Sequence, residues 1–288
     1  MLSGSSSMLD FFRRAAAFEK AVAFQCCTCC RISKYWWSRT TRSLIAVAAV
    51  TSNCVGLFFL MGEHRAGRSL PARIFFDAST IVCSILFFVY DSLHFVMARS
   101  SCEVLVEYTH SQVNVLKRMP AWHNSVIQVE TLRTNICTIK KLKEELNNVW
   151  SWSMAASCAS NVLVVCVTCH AAFTKSLPAE HFLIVGSYAI YSCIELASLA
   201  GISQKLTDEA QKLKDAVKSL PVLNATEAYV AQVQYLHDSI DPESMCLDAA
   251  GFFHINLSML VSMSGSIITY TVILVQTSTD LEDDRTAA

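Results

Sequence analysis

The sequence predicts an all-α membrane protein. It would have five transmembrane helices, a cytosolic N-terminus, an extracellular C-terminus and long cytosolic helical extensions forming an anchor. Three observations carry that fold class. Hydrophobic residues make up 53% of the 288 and charged residues only 16%, with a mean hydropathy of +0.38; a soluble domain carries about 25% charged residues. Five apolar runs approach or exceed the roughly 20 helical residues needed to cross ~30 Å of hydrocarbon. Amphipathic stretches of helical period adjoin several of those runs. A formal net charge of −1 gives no reason to expect nucleic acid or another acidic partner.

Residues 1–7 are rich in Ser and are expected to be disordered. Residues 8–41 are basic and aromatic, with Phe11, Phe12, Arg13, Arg14, Phe18 and Phe24 followed by Tyr35, Trp36 and Trp37. They read as a surface-lying or juxtamembrane segment ahead of a span. Arg13, Arg14, Glu19 and Lys20 interrupt the apolar core that a cleavable signal peptide would need. Residues 1–42 are therefore expected to form a cytosolic N-terminal segment. Within it, Cys26, Cys27, Cys29 and Cys30 are candidates for S-palmitoylation. No His or carboxylate stands among them, which weighs against a metal site; unmodified thiols are the alternative. The chain has 13 cysteines. Several, such as Cys54, Cys83, Cys158 and Cys166, lie in apolar runs, where free Cys acts as a small hydrophobe. No pair of CxxC motifs at zinc-finger spacing occurs, and no metal or cofactor is expected.

Residues 43–201 are expected to form a four-span bundle. The first span, 43–61, is uncharged. The second, 74–98, carries Asp77, Asp91 and His94. Ionisable groups at membrane depth are costly and normally face a cavity or a partner. Asp91 and His94, three apart, could pair on one helix face, and a structural polar clamp is the plainer reading. The insert 99–148 is polar. In it Leu132, Ile136, Ile139, Leu142, Leu146 and Val149 recur at three- and four-residue steps, with lysines and glutamates filling the gaps. That pattern predicts an amphipathic helix over 127–149 running without a break into the third span, 150–172, which opens on Trp150 and Trp152. A tight loop leads to the fourth span, 181–201, which holds Glu195 in its last third.

Residues 202–250 are expected to be cytosolic anchor helices. Leu206, Ala210, Leu213, Val217 and Leu220 follow a seven-residue repeat stopped by Pro221. Asn224, Ala225, Thr226 and Glu227 resemble a capping box opening a helix over 226–240. That helix places Tyr229, Val233, Leu236 and Ile240 on one face and ends at Asp241-Pro242. Two glycosylation patterns, at Asn224 and Asn256, are discounted: one is expected in the cytosol, the other within a span.

The last hydrophobic run, 251–279, contains no Asp, Glu, Lys or Arg, and an acidic tail, 280–288, follows. Ser258, Ser262, Ser266, Thr269, Ile273 and Gln276 fall on one stripe of a helix. Lipid cannot satisfy such a stripe. It is either a close-packing surface for a neighbouring helix, as small residues often form in membranes, or the lining of a water-filled conduit. Charge fixes the expected orientation. Eighteen Lys and Arg flank one side, seven in the N-terminal segment, seven in 99–148 and four in 202–248, against five on the other. The side rich in Lys and Arg is cytosolic. With five spans the C-terminus and its acidic tail are then extracellular.

Thr269-Tyr270, five mostly apolar residues and Gln276 resemble the signature that closes insect-type gustatory receptors. Ala250-Gly251-Phe252-Phe253 ahead of the last run and the order of short outer and long inner loops are similar to that family too. The resemblance covers residues 43–279. Aligned from the C-terminus, the five runs correspond to the third to seventh spans of a seven-span receptor, so the first two spans are expected to be lacking. Thr277 stands where the family usually has Phe.

The resemblance implies a tetrameric ligand-gated cation channel in the plasma membrane, multi-pass, with the last span of each subunit lining a central pore and cytosolic helices packed into an anchor. Ser258, Ser262, Ser266, Thr269, Ile273 and Gln276 would then line the pore. Ile273 and Val275 would gate it by dewetting, and Thr269, Tyr270 and Gln276 carry the family signature. No acidic ring lies on the stripe, so strong ion selectivity is not expected. The family's ligand pocket lies in the outer half of the bundle. Candidates there are Phe58, Phe59, Phe76, Asp77, Thr80, His170, His181 and Tyr188, aromatics with a few polar groups that suit a small molecule. The expected function is a taste receptor subunit detecting small-molecule tastants, working in the lipid bilayer with other subunits of the family as a homo- or hetero-tetramer. The alternative is a non-conducting, modulatory relative. A membrane enzyme is not expected: Asp91 and His94 lack a third partner, and His123, His237 and His254 are scattered.

Overall fold

The computed structural model describes residues 2–22, 70–118, 126–174, 179–221 and 225–287. Among them run α1 (Leu2–Ala21), α2 (Leu70–Arg118), α3 (Val126–Thr174), α4 (Ala179–Lys218), α5 (Glu227–Ser239), a 3-10 turn (Glu243–Met245), the strands β1 (Asp248–Ala249) and β2 (Phe253–His254), and α6 (Leu257–Ala287). Three helical stretches in the described residues are long and apolar enough to cross a membrane: Val126–Thr174, Val185–Lys218 and Leu257–Thr277. The expected second span lies inside α2, whereas residues 43–61 fall outside the described residues. The chain is thus an all-α protein with membrane-type helices.

Two compact units form. One holds the described part of Met1–Gln25 with Val96–Ala155 and Ser198–Met259; the other holds that of Cys26–Phe95 with Ala156–Ala197 and Leu260–Ala288. The first unit is built on the amphipathic periods. Val113 and Leu116 of α2, Val129, Leu132 and Ile136 of α3, Leu213 and Val217 of α4, and Tyr229, Val233, Leu236 and Ile240 of α5 bury one continuous core. The seven-residue repeat on α4 and the apolar face of α5 are the surfaces that meet there. Each such side chain gains about 1.5–3 kcal/mol from leaving water.

α1 departs from expectation. Residues 2–7 are helical rather than disordered. Downstream, Phe11, Ala15 and Phe18 are buried, and Phe18 packs on Tyr108 of α2 with ring centroids 5.0 Å apart. The Tyr108 hydroxyl donates to Glu19 Oε1 at 2.7 Å, and Arg14 pairs with Glu145 of α3. The apolar stripe of α1 is therefore covered by protein, not laid on a membrane surface. Docking of that stripe holds a helix that Ser and Gly would not favour by themselves.

α5 starts later than the expected capping box. Its N-cap is Thr226, whose side chain accepts the Tyr229 N–H. Position N3 is then Tyr229, so Glu227 cannot close a box with Asn224.

The last span is shorter at its start than the apolar run suggested. Residues 248–254 form a hairpin, pairing Asp248 with His254 and Ala249 with Phe253. Ala250 (φ 54°) and Gly251 (φ 78°) turn it through the left-handed region, and Phe252 N–H closes the turn on Ala249 O at 3.0 Å. Asp248 accepts the Gly251 N–H and donates its own N–H to Asn147 Oδ1 at 2.9 Å. α6 then begins after Asn256, whose Oδ1 accepts the Met259 N–H at 2.8 Å. Asn caps a helix better than it continues one, so this residue ends the hairpin and starts the span. α6 continues through the acidic tail to Ala287.

Candidate functional site

Of the three membrane-type stretches among the described residues, α6 is the most exposed: only 11% of its apolar window is buried. What is buried follows one face. Met259 and Thr271 are covered, and Met263, Ile267 and Val275, in phase with them, are half-buried. Ser258, Ser262, Ser266, Thr269, Ile273 and Gln276 are all exposed. At 3.6 residues per turn the two sets centre roughly 150° apart. The hydroxyl stripe therefore points away from the helix's own packing face. Ile273 and Val275 are two residues apart, roughly 200° around the axis, so the two gate candidates cannot face one conduit.

Several hydroxyls of α6 are bonded back into their own helix. Ser266 donates to Ser262 O at 3.1 Å, Thr269 to Gly265 O at 2.9 Å and Thr277 to Ile273 O at 2.9 Å. A hydroxyl that spends its proton this way turns only lone pairs outward. Ser266 and Thr269 thus turn acceptors without a formal charge to that face. Of the signature residues, Thr269 and Gln276 lie on this face and Tyr270 beside it is exposed as well.

Of the ligand-pocket candidates, only His170 and Tyr188 have side chains among the described residues. Phe58 and Phe59 lie outside the described residues, as do Cys26, Cys27, Cys29 and Cys30. Phe76, Asp77 and Thr80 are on α2 and His181 in the first turn of α4, their side chains outside the described ones. His170 is half-buried near the end of α3, and its carbonyl accepts the Thr174 hydroxyl at 2.9 Å. Tyr188 of α4 lines a small polar cavity of about 10 Å³ with Ser157, Ser160 and Asn161 of α3 and Ser192 of α4. There the buried Asn161 amide donates to Ser192 O at 3.3 Å.

A larger cleft of about 530 Å³, between α3 and α4, is lined by Thr168, Cys169, Phe182, Gly186, Ile190 and Cys193 among others. His170 and Tyr188 are not in it. Gly186 leaves it open: a Cβ there would reach only Thr168 Cγ2, at 4.0 Å. A glycine in phase with Phe182 and Cys193 inside an apolar run was the one sequence signal for this cleft.

Charged groups gather in the first unit, beyond the residues expected to span, 150–172 and 181–201. Glu209 of α4 holds His110 of α2 at 2.9 Å and Lys212 at 2.8 Å. Burial raises the Glu209 carboxyl, but these two hydrogen bonds outweigh it and hold the group below its ordinary value. Lys143 of α3 is buried, and desolvation lowers its ammonium against the pull of Cys246 and Asp248. Burial pushes the Cys102 thiol up to about 12. Cys246 Sγ lies 3.4 Å from Ser203 Oγ, which accepts the Leu247 N–H at 2.9 Å. Ser203 and Cys246 thus tie α4 to the base of the hairpin.

Membrane-type helices with an uncharged hydroxyl face and helical extensions define a helical membrane protein. A sequence profile of the 7tm chemosensory receptor family matches residues 2–279, a stretch wider than the 43–279 that the motifs covered. The chain belongs to that family, in keeping with its resemblance to insect-type gustatory receptors. No curated protein matches it at a significant level. The family is one of receptors, not enzymes, and supports a chemoreceptor role.

Proposed function

We propose that the chain is a subunit of a ligand-gated, non-selective cation channel that detects small-molecule tastants at the plasma membrane. The observation that supports it most is the outward hydroxyl face of α6. Ser258, Ser262, Ser266 and Gln276 are exposed there, a polar face that a helix usually turns toward protein or water rather than lipid. Lone pairs directed outward can replace part of a cation's hydration. Ile273, at the same face near the outer end, acts as the apolar gate; Val275 is left out of the lining. In this reading four copies, or family partners, bring their α6 helices around one axis.

Five spans, an inner N-terminus and an outer C-terminus complete the proposal, on the bias of Lys and Arg. The first unit is the cytosolic anchor. The tastant site lies in the second unit, among the aromatic and polar candidates, with the α3–α4 cleft as an added wall.

Expression in oocytes, alone and with a full-length family member, under a tastant panel tests the reading. Ligand-gated current is expected. Cysteine at Ser262, Ser266 or Gln276 makes that current sensitive to thiol reagents, whereas cysteine at Ile268 does not. Silence together with unchanged partner currents sinks the channel and leaves a non-conducting, modulatory subunit.

A further inference from the structure

We propose that the tip of the β1–β2 hairpin, together with Trp152 of α3, docks on the headgroup–acyl boundary of the inner leaflet and sets the depth at which α6 enters the bilayer. The inference rests on the membrane reading of α3 and α6 above. The hairpin is held firmly at its base. Ala249 and Ile255 are fully buried, Asn147 accepts the Asp248 N–H, and Ile255 N–H bonds Leu247 O at 2.8 Å. Its tip is the opposite. Phe252 is 69% exposed, and Trp152, 70% exposed, meets it edge-on with ring centroids 6.1 Å apart. Phe253 and His254 are exposed beside them.

A pair of large aromatics left in the open on a rigid mount calls for a partner. Charge says which. Glu145 is the last charged residue of α3, and none follows through Thr174. Trp152 stands seven residues further on, about 10 Å along the helix. Asp248 is the last charged residue before α6, with none again until Asp280; Phe252 stands four residues on. Both segments thus pass from charged to uncharged where these rings meet. Rings with an apolar body and, for Trp and His, a polar N–H belong at the water–lipid boundary. The surface is also continuous in sequence with lipid-type exposure, since Leu163 and Val167 on α3 and Val261 and Ile268 on α6 are exposed. Ala250, a non-glycine residue at positive φ, marks strain that the base of the hairpin over-determines, as expected where a tip must be aimed.

The test uses the full chain in phosphatidylcholine–phosphatidylserine nanodiscs, with the photo-crosslinker p-benzoylphenylalanine placed singly at Phe252, Trp152, Leu163 or Val230. Phe252 and Trp152 are each expected to gain the mass of one lipid on irradiation, as is Leu163. Val230, exposed on α5, is not. Chain-to-chain adducts at Phe252 in place of lipid adducts overturn the proposal in favour of a second copy of this chain. Lipid adducts at Leu163 with none at Phe252 and Trp152 overturn it while leaving the membrane reading of α3 intact. Absence at all three overturns that reading and the proposal with it.

Discussion

At the scale of single residues, polar groups in buried places tie the helices. The Asn161 amide bonds Ser192 O across α3 and α4. Interhelical hydrogen bonds at membrane depth are worth about 0.6–2 kcal/mol. Asn161→Leu is expected to destabilise the fold by that order, read as a lower midpoint of unfolding in mixed micelles. In the first unit, Glu209 ties His110 and Lys212. Its carboxyl titrates below the ordinary 4.5, so the folded state binds fewer protons there than the unfolded one. The stabilisation is present above pH 4.5 and fades as pH falls through the lowered value. Unfolding of wild type and Glu209→Gln across pH 3–7 is expected to differ most near neutrality and to converge in acid. A gap that widens in acid would contradict the assignment. Neither tie was named from the sequence. Asn161 and Glu209 each sit on an ordinary helical repeat, and only the fold brings up Ser192 or His110.

At the scale of elements, the amphipathic periods were readable and their ends were not. The repeat on α4 and the face of α5 meet as the spacing predicts, because burial of one apolar stripe overrides everything else in a helix. Leu213→Ala in the four-helix core is expected to cost about 2–5 kcal/mol, measured by thermal unfolding of the detergent-solubilised chain. Starts are finer matters. Asn224 and Thr226 are both good caps; the phase that buries Tyr229, Val233 and Leu236 accompanies a cap at Thr226. Thr226→Ala is expected to cost about 1 kcal/mol. At the hairpin, Gly251 has open space around it but φ 78°. Gly251→Ala is therefore expected to lose roughly 1 kcal/mol from backbone strain alone, with no steric clash to relieve. Asp248, Asn147 and Asn256 turn an uninterrupted apolar run into a hairpin plus a helix, and such side-chain bonds leave no mark in a hydropathy profile.

At the scale of the whole molecule, the proposed topology makes a direct prediction. An epitope at the N-terminus is expected to be stained only after permeabilisation, and one at the C-terminus in intact cells. Staining of both termini on the same side would mean an even number of spans. The same orientation would put the hairpin tip at the inner leaflet: the lipid adducts test its contact with lipid, and the epitope pattern tests the side.

The sequence by itself determined the class. Low charge, apolar runs and a closing Thr269-Tyr270…Gln276 are properties of composition and spacing, and a membrane helix is specified by the solvent it must satisfy. The hydroxyl stripe was equally plain, since helical period alone puts those residues together. Whether that stripe packed against its own chain was for the tertiary structure to decide. It turns Met259 and Thr271 inward and the stripe outward, because one helix can bury only the face its neighbours cover. The α3–α4 cleft, the docking of α1 and the aromatic pair at the hairpin belong to the same kind. Each depends on residues far apart in sequence coming within a few ångströms, and periodicity along one helix carries no information about which face of another it will meet.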